Sequence, residues 1–233
     1  MRGQRNLPAP KKGASDVATL TTGIAAAVAG IFFPGAALLG PVAAFAVKKY
    51  VTRWENVLSE ELKKGNIRLL TDEKAAAFVP MAYKFFEQAK EAEYEHNLKL
   101  LAEFLKGELE LEQPDSSSFA RMARRIEGLS REEMKVIALI SGFETKVSRA
   151  STDAPSQSER PYFSARQLAK DRNNRAGFNH FFLQEALTEL YSRGLLIADG
   201  ASRVGQAETN YFASSSFMEL LDKARESIQE AGR

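Results

Sequence analysis

The sequence predicts a mainly helical protein with a small β-hairpin near its C-terminus, and three observations carry that expectation. Apolar residues recur at three- and four-residue steps through much of residues 48–150, the period of one helix face. Two short β-prone runs, Leu195–Ala198 and Thr209–Ala213, flank a polar connection, which is the pattern of a hairpin. Between Val17 and Val47 no side chain is charged, and Ala and Gly dominate.

Composition sets bounds on function. A length of 233 residues allows one or two domains, and 44% apolar residues suffice for a real core. Lys and Arg number 32 against 30 Asp and Glu, so net charge by itself gives no nucleic-acid signature. With no cysteine there are no disulfides, thiolate metal sites or Cys nucleophile. The only histidines are His96 and His180, too few for a His-rich metal cage.

Residues 1–16 form a basic arm with Arg2, Arg5, Lys11 and Lys12. Pro8 and Pro10 discourage helix there, so a flexible leader is expected. It has the charge of a signal-peptide n-region, but no convincing cleavage site follows. Residues 17–47 exceed the ~20 residues that span a bilayer core. Pro34-Gly35 and Gly40-Pro41 interrupt them, so two short apolar helices around a turn are expected rather than one span. The bulky side chains Ile24, Val28, Ile31, Phe32, Phe33, Leu38, Leu39 and Phe45 are the expected membrane-inserting set. Gly23, Gly30, Gly35 and Gly40 have the small-residue spacing that lets helices approach closely.

Residues 48–150 are expected to form an amphipathic helical domain. A helix starting near Pro41 runs to Lys64 with Gly65 as its stop. Thr71 or Asp72 caps the next, whose apolar stripe is Phe78, Met81, Phe85, Ala89 and Ala92; Leu98, Leu101 and Leu105 continue it up to Gly107. Gln113–Ser118 is a turn and cap cluster before a short helix bearing Phe119, Met122, Ala123 and Ile126, ended by Gly128. Ser130 and Glu133 make a capping box for the following helix. Residues 151–160 are a polar linker. Residues 161–233 then give a short strand at Tyr162-Phe163, a small helix capped by Ser164, a helix from about Phe178 to Ser192, the hairpin, and a final helix capped at Ser214–Ser216. Helix, strand, two helices and a hairpin is the order of a winged helix-turn-helix, and Leu187–Ile197 resembles the end of its third helix entering the wing.

Asn97–Leu105, Phe119–Ile126, Leu129–Lys135 and Leu190–Ile197, taken together, resemble the bacterial Abi-alpha family over roughly residues 60–200. The uncharged run at 17–47 has no counterpart in that pattern. The resemblance implies a bacterial or phage-borne protein linked to abortive phage infection, and it carries no catalytic residues across.

Catalytic motifs are sparse. Glu93-x-x-His96 puts a carboxylate and an imidazole on one helix face, but a di-metal bundle needs a second such pair, and Gly177 stands three residues before His180. There is no phosphate-binding Gly loop, no Gly-x-Ser-x-Gly and no His-Glu-x-x-His. No enzyme activity, cofactor, metal or small-molecule substrate is inferred. Arg166, Lys170, Arg172, Arg175 and Arg203 are the candidate nucleic-acid contacts. Against them, Glu185 and Glu189 lie on the helix that would enter the groove, and from Phe178 onward eight acids face five bases. Protein contact is therefore favoured over nucleic acid, with weak and non-specific DNA binding at most.

Two functions are expected from these features. The first is a non-enzymatic, membrane-associated bacterial protein on the cytoplasmic face of the inner membrane, a phage-defence or stress effector that binds a protein partner or its own copy. The second is a soluble cytoplasmic regulator whose apolar hairpin is buried in its own core or in an oligomer interface and whose winged-helix-like unit binds DNA or protein.

Overall fold

The structure, a computed structural model, describes residues 15–33, 41–91, 95–150, 162–198, 209–224 and 228–229. It is mainly helical with two small antiparallel sheets. The linker at 151–160 and most of the basic arm lie outside the described residues.

Four helices form the first layer: α1 (Val17–Phe32), α2 (Pro41–Lys64), α3 (Asp72–Glu91) and α4 (Glu95–Glu110). Each touches two others, in the cyclic order α1, α2, α4, α3. Side-chain contacts set the directions. Thr22 on α1 donates to Glu55 on α2, and the groove between them joins Ala29 and Phe33 to Ala44 and Val47, so these helices are antiparallel. Phe32 near the end of α1 meets Tyr83 with ring centroids 6.2 Å apart, and Ser15-Asp16 just before α1 pairs with Leu69-Leu70 just before α3, so α1 and α3 run the same way. Lys74 Nζ, at the start of α3, donates to Leu109 O at the end of α4 over 2.6 Å. The centre of the bundle is aromatic: Phe78, Phe85, Phe86 and Phe104 are fully buried, each contributing about 1.5–3 kcal/mol by leaving water.

The end of the arm is ordered differently from a flexible leader. Ser15-Asp16 (β1) pairs with Leu69-Leu70 (β2), and Asp16 caps α1, accepting from Thr19 N at 3.3 Å and Thr19 Oγ1 at 2.8 Å. Those Thr19 hydrogen bonds hold the Asp16 carboxyl below its ordinary value. The boundary expected at 47/48 falls inside α2, because its uncharged and charged halves form one continuous helix.

α2 ends at Lys64, at the stop expected from Gly65, and both Gly65 and Gly107 serve close packing. At the end of α2 it is Asn66, with φ 55°, that turns left-handed. Ile67 N returns to Leu62 O and Asn66 N to Lys63 O, both at 3.0 Å, a Schellman closure with Asn in the glycine's place. A Cβ on Gly65 would instead sit 3.0 Å from Lys106 Cγ and Glu110 Oε1 on α4. Gly107 ends nothing: α4 continues to Glu110, and a Cβ there would lie 3.1 Å from Lys223 Cβ. Its small size serves close packing of the C-terminal helix.

α5 (Ser116–Ile126) lies across α3 and α4 and buries Phe119, Met122, Ala123 and Ile126 as the spacing predicts. Gly128, φ 66°, turns the chain into α6 (Arg131–Ala150). The capping box is present: Ser130 N donates to Glu133 Oε2 at 2.7 Å, and Glu133 N to Ser130 Oγ at 3.1 Å.

After α6 come β3 (Tyr162-Phe163), α7 (Ala165–Ala169), α8 (His180–Ser192), β4 (Leu196–Ala198), β5 (Tyr211–Ala213) and α9 (Ser215–Lys223). The strands lie in the order β3-β5-β4, all antiparallel. The expected hairpin is present, with Leu196 opposite Ala213 and Ala198 opposite Tyr211. The caps at Ser164, Asn179 and Ser214 each accept from a backbone N–H of the first helical turn. Gly194, φ 71°, closes α8, with Leu195 N donating to Leu190 O at 3.0 Å.

Arg193 joins this unit to the helical layer. Its Nη1 donates to Glu127 O and, at 3.4 Å, to Arg125 O. These are carbonyls at the C-terminal end of α5, where a cation is favoured. Its Nε is 3.1 Å from Glu189 and 4.0 Å from Glu133. Replacing Arg193 by Ala is expected to cost about 2 kcal/mol in lost charged hydrogen bonds. Thermal unfolding would then read a midpoint about 4–8 °C lower.

Candidate functional site

Two surfaces stand apart from the core. The first is the free end of the α1–α2 hairpin. α1 turns Val17, Thr21, Ala25 and Val28 into the bundle. α2 begins its buried face only at Val51, followed by Trp54, Leu58 and Leu62. From Pro41 to Tyr50 no described side chain of α2 is fully buried, and Val47 is partly buried against the core. Ile31 is 58% exposed and Phe45 69%. Lys48 and Lys49, exposed, follow one turn after Phe45. An apolar end backed by cations is thus presented at one extremity of the bundle.

The expected membrane-inserting residues divide accordingly. Ile31 and Phe45 project. Ile24, Phe32 and Phe33 are partly buried against the core. Val28 is a correction: at 0% exposure it belongs to the bundle core, because α3 lies along that face of α1. Leu38 and Leu39 lie outside the described residues. The close-packing role expected for Gly23 and Gly30 also changes. Both face outward, and a Cβ at either would meet no atom within 4 Å. Gly35 and Gly40 lie outside the described residues. Among the described residues no helix is long and apolar enough to cross a membrane. At 1.5 Å per residue the 16 residues of α1 reach about 24 Å, against a hydrocarbon core of ~30 Å.

Between the limbs of the hairpin runs a groove of about 470 Å³, lined by Thr22, Ala25, Ala26, Ala29 and Phe33 from α1 and by Ala44, Val47, Lys48, Val51, Thr52 and Glu55 from α2. Small side chains on α1 leave the space open. The Thr22 hydroxyl donates to Glu55 at its inner end.

The second surface belongs to the C-terminal unit. Arg166, Lys170, Arg172 and Arg175 are all exposed, on α7 and the loop after it. Arg203 lies outside the described residues. The solvent face of α8 carries His180, Phe181, Glu185, Thr188, Glu189 and Tyr191. Phe181 is 72% exposed, and the His180 ring sits 3.9 Å from it, centroid to centroid. A groove of about 490 Å³ between α6 and the α7–α8 loop is lined by Lys135, Ala138, Leu139, Asn173, Asn174, Arg175, Ala176, Phe178 and Gln229. Asn174 is spent internally: its amide donates to Ala169 O and Phe178 O, and its Oδ1 accepts from Phe178 N.

No group of three or more His, Asp or Glu among the described residues is placed to hold a metal ion, and Glu93 lies outside those residues. Sequence reasoning missed the groove between α1 and α2. Its only signal was the excess of alanine on both limbs. It also missed Tyr162, Phe212 and Ile197, which register directly across the outer face of the three-stranded sheet; the two edge residues, Tyr162 and Ile197, are exposed.

No family model, curated protein or solved structure matches the chain.

Proposed function

We propose that this chain is a non-enzymatic, peripheral membrane protein that rests on an anionic lipid surface through the apolar end of its α1–α2 hairpin and offers its C-terminal unit to a protein partner. The observation that carries the reading is the pairing of exposed Ile31 and Phe45 with Lys48 and Lys49 one turn behind them. An interfacial segment gains free energy from apolar side chains entering the headgroup boundary and from basic residues meeting anionic lipid, about 1 kcal/mol per cation near the surface. The limb lengths favour a hairpin lying in the interface over one that crosses.

We read the C-terminal unit as winged-helix-like: α6, β3, α7, α8 and the β4–β5 hairpin follow that order, and β5 lies between β3 and β4. The exposed face of its third helix, with Phe181, Tyr191, Glu185 and Glu189, suits a protein surface better than a phosphate backbone. The Abi-alpha resemblance supports a bacterial setting and an effector role in phage defence or stress. A second reading, a soluble regulator whose winged-helix-like unit binds DNA, is favoured by the exposed run Arg166, Lys170, Arg172 and Arg175.

Sedimentation with vesicles separates the two. The full chain is expected to pellet with phosphatidylglycerol-containing vesicles at low salt, less so as salt screens the lysines, and not with neutral phosphatidylcholine. A chain that stays in the supernatant with anionic vesicles at low salt overturns the membrane reading. A submicromolar, sequence-selective duplex complex lost on replacing Arg172 and Arg175 by Ala would establish the second.

A further inference from the structure

We infer that the groove between α1 and α2 takes one acyl chain of an anionic phospholipid, drawn from the bilayer on which the hairpin end rests. The inference rests on the membrane reading above and names the ligand of the same site.

Apolar side chains make up most of the lining, with Thr22, Thr52 and Glu55 at the inner end and Lys48 toward the other. Ala25, Ala29 and Phe33 face Val47 and Val51, and none carries a group that would need a polar partner. The volume, about 470 Å³, lies in the range of small-ligand sites, roughly 300–1,000 Å³. Its shape follows from the sequence. Helices normally pack 8–10 Å apart through interlocking side chains. Here α1 offers Ala25, Ala26 and Ala29, which leave a slot where larger side chains would interlock. The limbs already touch, so a flexible hydrocarbon chain can enter the slot, whereas a third helix, ~10 Å across, could only rest on its mouth.

The two ends differ in charge. At the inner end Glu55 is the only carboxylate in the lining, and Thr22 donates to it. Toward the hairpin end Lys48 lines the groove, and no partner for it is found among the described residues. A ligand with a long apolar tail and an anionic head fits this polarity in one direction: tail toward Thr22 and Glu55, phosphate on Lys48. A neutral lipid would leave Lys48 unused, and a short polar anion would leave the apolar walls unused.

The chain's sole tryptophan supplies the test. Trp54 lies one residue from Glu55 and 13 residues from Pro41, about 20 Å along α2 from its exposed start. Bromines on the distal part of a phosphatidylglycerol acyl chain quench tryptophan only at short range. If the hairpin end alone enters the headgroups, Trp54 stays out of reach. If a chain fills the groove, its tail comes beside the turn that holds Trp54. The full-length protein, bound to brominated vesicles, is therefore expected to lose Trp54 emission relative to unbrominated vesicles. Filling the groove with Ala29→Phe or, separately, with Ala26→Phe is expected to abolish that loss while sedimentation persists. Two variants are used because Ala26 is exposed and its replacement leaves the fold undisturbed. Sedimentation without quenching overturns the acyl-chain inference and leaves membrane docking standing. Quenching that survives both variants overturns it as well. Equal quenching by monomeric brominated fatty acid without vesicles would assign the groove to a free fatty acid and overturn the phospholipid. Failure to sediment removes the membrane reading and the inference with it.

Discussion

Replacing Lys223 by Met is expected to destabilise the protein by about 3–5 kcal/mol, the cost of leaving a buried charge without its partner. Lys223 sits at the end of α9 and reaches back to the helical layer. Its Nζ is 2.6 Å from Glu108 Oε1 and 3.0 Å from Glu219 Oε1, and it lies 4.9 Å from the centroid of Phe104. The Glu108 side chain is 1% exposed. The other oxygen of its carboxylate, Oε2, accepts only a long contact from Asp115 N, 3.4 Å. Without the lysine, the buried Glu108 carboxylate is left without its cation. Glu108→Leu together with Lys223→Met removes both charges and should recover most of the loss, since apolar replacement of a whole buried pair is often neutral or better. Denaturant unfolding of the two single variants and the double gives the coupling. A Lys223→Met loss below about 1 kcal/mol, the range of a solvent-exposed pair, would show that the pair is not held in the interior.

The pH dependence has a definite sign. Burial works against the Lys223 ammonium, but the hydrogen bonds and charges of Glu108 and Glu219 outweigh it and hold its pKa above the ordinary lysine value. A raised folded-state pKa means that the pair's stabilisation is fully present below the unfolded value, ~10.4. It is lost as pH rises through the folded value.

What the sequence made legible is local. Ser130 with Glu133, and Ser164 before α7, satisfy orphan N–H groups within three residues, so the local sequence announces them. The β4–β5 pairing and the Gly194 turn are of the same kind. The Asn179 cap is missed, because the sequence places the start of that helix at about Phe178. The other misses involve partners far along the chain. Gly107 shows no role in the sequence until Lys223, 116 residues later, is seen against it. Ser15-Asp16 reads as arm because its partner, Leu69-Leu70, has no strand signal of its own. Arg193 is one arginine among many until α8 ends beside the carbonyls of Arg125 and Glu127. The candidate site was half legible. The absence of charge from Val17 to Val47 pointed to the hairpin, but not to which of its faces the bundle covers. That depends on α3, whose contact with α1 is tertiary.

Aspartate at Val28 and at Ile31, three residues apart on α1, should therefore have opposite consequences. Val28 is fully buried against the bundle. An aspartate there has no described cation to pair with and displaces well-packed apolar surface, so a loss of about 3–5 kcal/mol is expected. For a chain of this size that lowers the melting midpoint by about 6–20 °C. Ile31 is 58% exposed near the free end of the same helix, and a polar replacement there should change stability by no more than about 0.5 kcal/mol. Its effect falls on lipid binding: a carboxylate in place of an apolar side chain repels anionic lipid and removes buried area. Ile31→Asp should thus melt like the parent and lose most of its sedimentation with phosphatidylglycerol vesicles. Phe45→Asp, on the facing limb, should do the same. Melting curves and sedimentation on one set of proteins test both halves. Equal melting of the Val28 and Ile31 variants would mean that α1 does not pack on the bundle through its Val17, Thr21, Ala25 and Val28 face. Undiminished sedimentation of both Ile31→Asp and Phe45→Asp would mean that the hairpin end is not what touches lipid.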